Sequence, residues 1–255
     1  MKQLETSNQK LFMSILSFYR EMGIDTTVLN KEINQDKPII ENNKISKKSE
    51  EDDYNIENKE KNIKELEFSF KNFEGCNLKK TSTNFVSFFG NIKSQLLIID
   101  EPPDVEEDKK GSSFVSTKGL LLEKMLNSIE LNKDEVFLVK SIPWRPPGNR
   151  YPSIEEIKIC RPFILNLIKF LKPKIIVCLG EVPTNQILDS NENNTKLRGK
   201  WSVLKSDKIF KSDNLKCEYY VFPTFSISHL LLRPDLKKHA WEDMKSLRDK
   251  IKEIL

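Results

Sequence analysis

Apolar positions between residues 95 and 254 follow two alternating periods. Gln95–Asp100 (QLLIID), Val136–Ser141 (VFLVKS), Lys174–Gly180 (KIIVCLG) and Tyr219–Phe222 (YYVF) hold short apolar runs of strand length, rich in β-branched or aromatic residues. Such runs predict buried strands. Between them, apolar residues recur at helical spacing. Leu121, Leu122, Met125, Leu126 and Ile129 form one stripe, and Ile157, Cys160, Ile164, Leu167 and Ile168 form another that runs to Leu171. Glu181–Leu188 predicts a short helix, and Pro234–Ile254 includes a closing one. Strands alternating with helices predict an α/β three-layer sandwich around a central four-stranded parallel sheet. Ligands of such sheets lie beyond the carboxyl ends of the strands. The segments to watch are therefore 101–108, 140–150, 180–182 and 223–233.

The pattern changes on either side of this region. Residues from Asn8 to Met22 carry Leu11, Phe12, Ile15, Leu16, Phe18 and Tyr19 at helical spacing, which predicts an N-terminal helix within 1–30 that covers a hydrophobic edge. From 31 to 66 the chain is dominated by Glu, Lys, Asn, Asp and Ser, with almost nothing to bury. That segment predicts a disordered linker, turning helical near its end. The packed domain is expected over 67–255, interrupted by a polar, lysine-rich excursion at 191–216. Composition agrees with a partly unpacked chain: 38% of residues are hydrophobic and mean hydropathy is −0.51. The net charge of +4 is too modest to name a partner. No run of about 18 apolar residues occurs, so no membrane helix is expected. Four cysteines without a framework spacing point to a reducing, cytoplasmic setting.

The densest local signal lies between Val136 and Phe163. The second strand breaks into Pro143-Trp144-Arg145-Pro146-Pro147-Gly148-Asn149-Arg150, where adjacent prolines and a Gly-Asn pair stop both strand and helix. Ser153, with Glu156 three residues on, reads as a capping box that opens the next helix. The unit is strand, rigid basic loop, helix. Fixed guanidinium groups beside a helix N-terminus suit a polyanion.

RPPGNR, with a strand before it and Glu155-Glu156-x-x-x-Cys160-x-Pro162-Phe163 after it, resembles the family 4 uracil-DNA glycosylases. It is most similar to a branch with Trp-Arg-Pro-Pro-Gly-Asn-Arg in place of Cys-Arg-Pro-Pro. The resemblance spans roughly Phe73 to Leu247. It implies a uracil-DNA glycosylase-like fold, a place in base-excision repair, and DNA as partner, single-stranded or with a flipped base. A monomer is expected.

The resemblance also implies roles, position by position. The family's Gly-Glu-Ala-Pro-Gly loop corresponds to Asp100-Glu101-Pro102-Pro103-Asp104, followed by Val105, Glu106 and Glu107. Positioning of water carries over to Glu101 and Glu107, against the alternative of a solvated acidic loop. Both glycines are lost, and two added aspartates would repel phosphate. Phe114 matches the aromatic on which the base stacks. Lys140 falls where the family has an Asn that reads the uracil amide edge, and an ammonium can only donate. Ser226 falls on the family's catalytic histidine. His229 lies three residues on, and using it would need a shift that Lys237, Lys238 and Trp241 do not share. Leu231 and Leu232 read either as a wedge into a duplex or as packing under the last helix. Arg145, Arg150, Arg198, Lys200 and Arg233 are the expected contacts to the DNA backbone.

The family's four-iron cluster needs four thiolates. Only Cys76 and Cys160 match ligand positions, and Phe73 and Trp144 stand at the other two, so no cofactor is expected. Two functions stay open at this point. One is a diverged glycosylase with weak or altered specificity for a deaminated base. The other is a catalytically inactive DNA-binding member of the superfamily.

Overall fold

The computed structural model describes residues 61–189, 194–206 and 217–255, all within the compact unit Ser46–Leu255. The expected N-terminal helix at 8–22 and the linker up to residue 60 lie outside the described residues.

The first described element is a helix over 61–72 (α1), followed by Leu78–Thr81 (α2). The remaining helices are Val105–Lys110 (α3), Thr117–Asn127 (α4), Ile154–Leu171 (α5), Glu181–Leu188 (α6), Asn194–Leu197 (α7), Ile227–Leu232 (α8) and Lys237–Ile254 (α9). The strands are Phe89–Gly90 (β1), Leu96–Asp100 (β2), Phe137–Lys140 (β3), Ile175–Leu179 (β4), Ser202–Lys205 (β5) and Glu218–Thr224 (β6). The sheet order is β1-β3-β2-β4-β6-β5, and the four inner strands β3, β2, β4 and β6 are mutually parallel.

These four strands are the four apolar runs. Two antiparallel edge strands, β1 beside β3 and β5 beside β6, extend the sheet to six and make it mixed. Both escape a reading of hydrophobic runs for physical reasons. β1 is two residues long, and β5 alternates half-buried with exposed positions inside a polar segment. At the other boundary, Ile63 and Leu66 are buried in α1. The last six residues of the segment read as linker are therefore helical, and two of them belong to the core.

Strand alternation assigns two faces to the sheet. Leu96, Ile98, Leu138, Ile175, Val177 and Phe222 share one core with Leu122 and Leu126 of α4 and Met244 and Leu247 of α9. Leu97, Ile99, Val139, Ile176 and Cys178 point to the other face, where the buried stripe Phe163, Ile164, Leu167, Ile168 and Leu171 of α5 supplies cover. The α5 start is as the sequence indicates. Ser153 accepts from Glu156 N–H, and the Glu156 carboxylate accepts from Ser153 N–H, a reciprocal cap.

An aromatic cluster closes the α1 end of the domain. Phe70 stacks on Phe163 at 4.0 Å and meets Trp144 edge-on at 5.4 Å, and Phe85 meets Trp144 at 5.9 Å. Trp144 is fully buried. Trp144→Ala is expected to cost about 3–5 kcal/mol, the usual range for emptying a large aromatic site. Denaturant unfolding followed by circular dichroism measures it, and a loss below about 1 kcal/mol would show that Trp144 is not part of this core.

Candidate functional site

Parallel register sets the first pair of the site. β2 ends on Asp100 and β3 on Lys140, and the two are Cα partners. Ile98 and Leu138, two residues before them, belong to the α4–α9 core. Strand alternation puts Asp100 and Lys140 on that same face, so their side chains meet at the carboxyl edge. Lys140 Nζ lies 2.7 Å from Asp100 Oδ2 and 2.6 Å from Glu107 Oε1, with the lysine side chain 1% exposed. Burial alone would lower the ammonium's pKa. The two carboxylates outweigh it and hold the group above the usual lysine range, hence charged.

Further charge comes from α3 and α4. Asp104 caps α3, accepting from the N–H groups of Glu106 and Glu107, while Glu107 Oε2 accepts from Asp104 N–H. Lys118, in the first turn of α4, reaches Glu107 Oε2 at 3.2 Å and Asp104 Oδ2 at 3.7 Å. Charges thus alternate along Asp100, Lys140, Glu107, Lys118 and Asp104. Burial works to raise the Asp104 pKa, but the α3 amides and the two lysines hold it below the ordinary aspartate value.

Glu101 sits on the other side of the strand end. Its Oε1 accepts from Glu181 N–H at 3.3 Å, and Ser226 bonds the same carboxyl. The approach requires Gly180, whose φ is 109° and whose added Cβ would stand 2.3 Å from Glu101 Oε1. Desolvation, then the Asp100 charge, push the Glu101 carboxyl up to about 7 against the opposing pull of Lys118.

Two cavities flank this network. The inner one holds only about 10 Å³ and is bounded by Phe114, Lys140, Glu107, Leu138 and Ile227, among others. That is space for a single water. The outer one is an open cleft of about 360 Å³ beyond the strand ends, reached by Glu101, Pro102, Tyr151 and Leu232. Lys118 lines both.

The remaining expected site residues are placed as follows. Phe114, half-buried, lines the inner cavity at φ 60°, its ring 5.0 Å from that of Phe89. Gly119 makes room for its backbone. Ser226 caps α8, accepting from His229 N–H. His229 stacks on Phe225 at 5.8 Å and lines neither cavity. Leu231 and Leu232 are exposed, Leu232 at 80%. Arg145 Nε donates to Asn149 within the loop, and Arg150 makes a two-pronged pair with Glu156. Arg233 pairs with Asp235, and Arg198 with Asp243 while lying over the Phe225 ring. Lys200 is exposed. Asp100, read from sequence as repelling phosphate, is buried and neutralised by Lys140. Lys118 and Tyr151 were not anticipated.

The model of the uracil-DNA glycosylase superfamily matches residues 87–245. A type-4 uracil-DNA glycosylase of Sulfurisphaera tokodaii is 37% identical over 179 residues, covering 68% of this chain and 78% of the relative. One from Archaeoglobus fulgidus is 32% identical, covering 68% and 84% respectively. The chain belongs to the type-4 family of the uracil-DNA glycosylase superfamily. A type-4 uracil-DNA glycosylase of Thermotoga maritima is also similar, 31% identical across 88% of its length.

Type-4 membership raises the question of the iron-sulfur cluster. The residues present do not fit one. Cys76 and Cys160 are buried thiols, with Cys160 donating to Cys76, which draws the Cys76 thiol down to about 7 and pushes that of Cys160 up. At the other two positions, Phe73 packs on Phe163 at 5.2 Å and Trp144 on Phe70. Aromatic rings supply no ligand, and among the described residues no group of three or more His, Cys, Asp or Glu is arranged to hold a metal.

The Glu101 carboxyl gives a pH prediction. Its folded value of about 7 lies above the ordinary unfolded value of about 4.3. Between those values the folded chain keeps a proton that the unfolded chain has released, so this group makes stability fall as pH rises from about 5 to 7. Glu101→Gln should flatten that part of the profile, read as Tm at intervals from about pH 5 to 8. An unchanged slope would contradict the assignment.

Proposed function

We propose that this chain is a DNA glycosylase-fold protein of base-excision repair whose specificity has moved away from uracil. The observation that supports this most directly is the ion-paired Lys140 at the floor of the inner pocket, where the type-4 pattern has an Asn. An amide offers a donor and an acceptor to the uracil edge; a lysine held by Asp100 and Glu107 keeps at most one N–H to donate and has no acceptor. Uracil therefore has no place to lie unless Lys140 moves, and moving it exposes two buried carboxylates.

The parts that would act on a nucleotide outside that pocket persist. Glu101 faces the open cleft with a pKa near neutrality, the range in which a carboxylate takes a proton from water at a useful rate. In the hydrolysis, the C1′–N bond to the base breaks, water oxygen bonds to C1′, and Glu101 accepts the water proton. The departing base carries away the bonding electrons and must be stabilised as an anion. Ser226 stands there in place of a histidine, with its one hydroxyl already engaged by the Glu101 carboxyl, so the anion would have to compete for it. A second reading, DNA binding without excision, is favoured by one observation, the inner cavity of about 10 Å³.

Excision assays on single-stranded oligonucleotides bearing uracil, hypoxanthine or xanthine distinguish these readings. Uracil removal should be absent or far below about 1 per second. Turnover at or above that rate would refute the proposed shift in specificity. Excision of another base supports the first reading, and excision of none supports the second.

Restoration requires more than the two altered recognition positions. Lys140→Asn alone leaves Asp100 and Glu107 facing each other in a buried site, and breaking a buried pair typically costs about 3–5 kcal/mol. The informative variant is Asp100→Gly with Lys140→Asn and Ser226→His. It should fold more stably than Lys140→Asn and gain uracil excision over the unaltered protein. A folded triple variant without any gain would place the loss elsewhere.

The same reading includes no iron-sulfur cluster. Purified protein should be colourless and free of stoichiometric iron by elemental analysis. A brown, iron-loaded protein would contradict it.

A further inference from the structure

The outer cleft carries features that proton transfer at Glu101 does not use. Tyr151 lines it with 53% of its surface exposed, and Leu232 lines it at 80%. Both side chains are presented to solvent within a concavity, where a ligand can cover them. The Tyr151 hydroxyl is hydrogen-bonded to Asn185, which anchors the far end of the ring. Its backbone is held as well, because Tyr151 C=O accepts from Arg150 and Pro152 follows. The ring is thus fixed before any ligand arrives, so little side-chain entropy is lost on stacking.

The surroundings select the ligand. Arg150 adjoins Tyr151 and lines the cleft, its exposed guanidinium shared with Glu156, and Arg145, beside Asp108, lies on the same loop, so guanidinium groups that phosphate can compete for stand next to the aromatic face. An aromatic beside guanidinium groups is the pairing that holds a base on its π-face and the adjoining phosphate by charge. Asn149 accepts from Arg145 through Oδ1, which directs its amide N–H groups elsewhere, and the amide lines the cleft. The volume of about 360 Å³ is in the range of small-ligand pockets. Deeper entry is blocked, since Lys118, ion-paired to Glu107, stands between the cleft and the small inner cavity.

We propose that the outer cleft is a nucleobase subsite, holding one unpaired base of single-stranded DNA stacked on Tyr151 outside the closed inner pocket. The proposal rests on the reading of this chain as DNA-acting, and it names where an unexcised base lies. Stacking of this kind is tolerant of base identity, because every base has a π-face.

Fluorescence anisotropy with the full chain tests it, using two labelled single-stranded probes of equal length. One is oligothymidylate, and the other is the same backbone with tetrahydrofuran in place of every base. The unaltered protein should bind the base-bearing probe about tenfold or more tightly than the base-free one. Tyr151→Ala should weaken the base-bearing probe by about tenfold, abolish the preference, and leave the salt dependence of binding unchanged, since phosphate contacts set that slope. Tyr151→Phe keeps the ring and should keep the preference. Equal binding of both probes by the unaltered protein, or an unaffected preference in Tyr151→Ala, overturns the subsite while leaving DNA binding intact. Failure to bind either probe at low salt overturns the DNA-acting reading and the subsite with it.

Discussion

Lys140 is the charge on which the carboxyl edge of the sheet depends. Its ammonium is taken out of water at the end of a fully buried strand, which is costly for an isolated ion. Asp100 and Glu107 offset that cost, but two carboxylates around one lysine leave an excess of negative charge. Lys118 answers it from α4, and Asp104 then joins the chain of pairs. The network holds three carboxylates against two ammonium groups. A fourth carboxylate beside it, Glu101, is therefore disfavoured as an anion, in addition to its own desolvation, and titrates near neutrality. A single buried lysine thus connects the loop after β2, the start of α4 and the titration of the cleft carboxyl.

The interior of the domain was legible because each layer follows a simple period. VFLVK and QLLIID are apolar enough to be strands buried on both faces, and S-I-E-E predicts the α5 cap that forms. The site was legible only in part. Glu101, Lys140 and Phe114 were found through motif position, but that Lys140 and Asp100 neutralise each other depends on strand register, which a run of apolar residues does not state. The signal was present in one respect: two predicted strands carry opposite charges at or next to their ends, Asp100 and Lys140. Lys118 gave less warning, since a lysine in the first turn of a helix ordinarily faces solvent. Tyr151 follows a loop noted for its arginines, and nothing in its spacing tells an exposed ring from a packed one.

The surroundings of Cys76 and Cys160 and the inner cavity follow the same physical logic. In each, the space is filled by side chains of the chain itself. Phe73 and Trp144 occupy two ligand positions and join Phe70, Phe85 and Phe163 in a packed aromatic group. Such a group contributes to folding through buried area and ring contacts, a role that a metal cluster would otherwise share. In the base pocket the filling is ionic rather than apolar, and it is less forgiving of piecemeal change. Removing one ring leaves a cavity, whereas removing one ion leaves its partners charged and buried.

That difference ties the contents of the inner cavity to stability in this protein. An inner pocket opened by moving Lys140 would have to leave Asp100 and Glu107 without their cation, so a base can enter only if it brings compensating hydrogen-bond donors. Uracil presents a single N–H at its Watson–Crick edge between two carbonyl acceptors, and carboxylates facing those acceptors repel them. Asp100, Lys140 and Glu107 therefore act as one unit, on which the stability of the sheet edge depends. The outer cleft lies outside that unit. Tyr151 and Leu232 belong to surface segments with no part in the ion-pair network, whereas Lys118 and Asp104, which also line the cleft, tie its inner wall to that network. A closed inner pocket and an open, aromatic outer cleft are the expected result when the buried position is committed to folding and the exposed one is not.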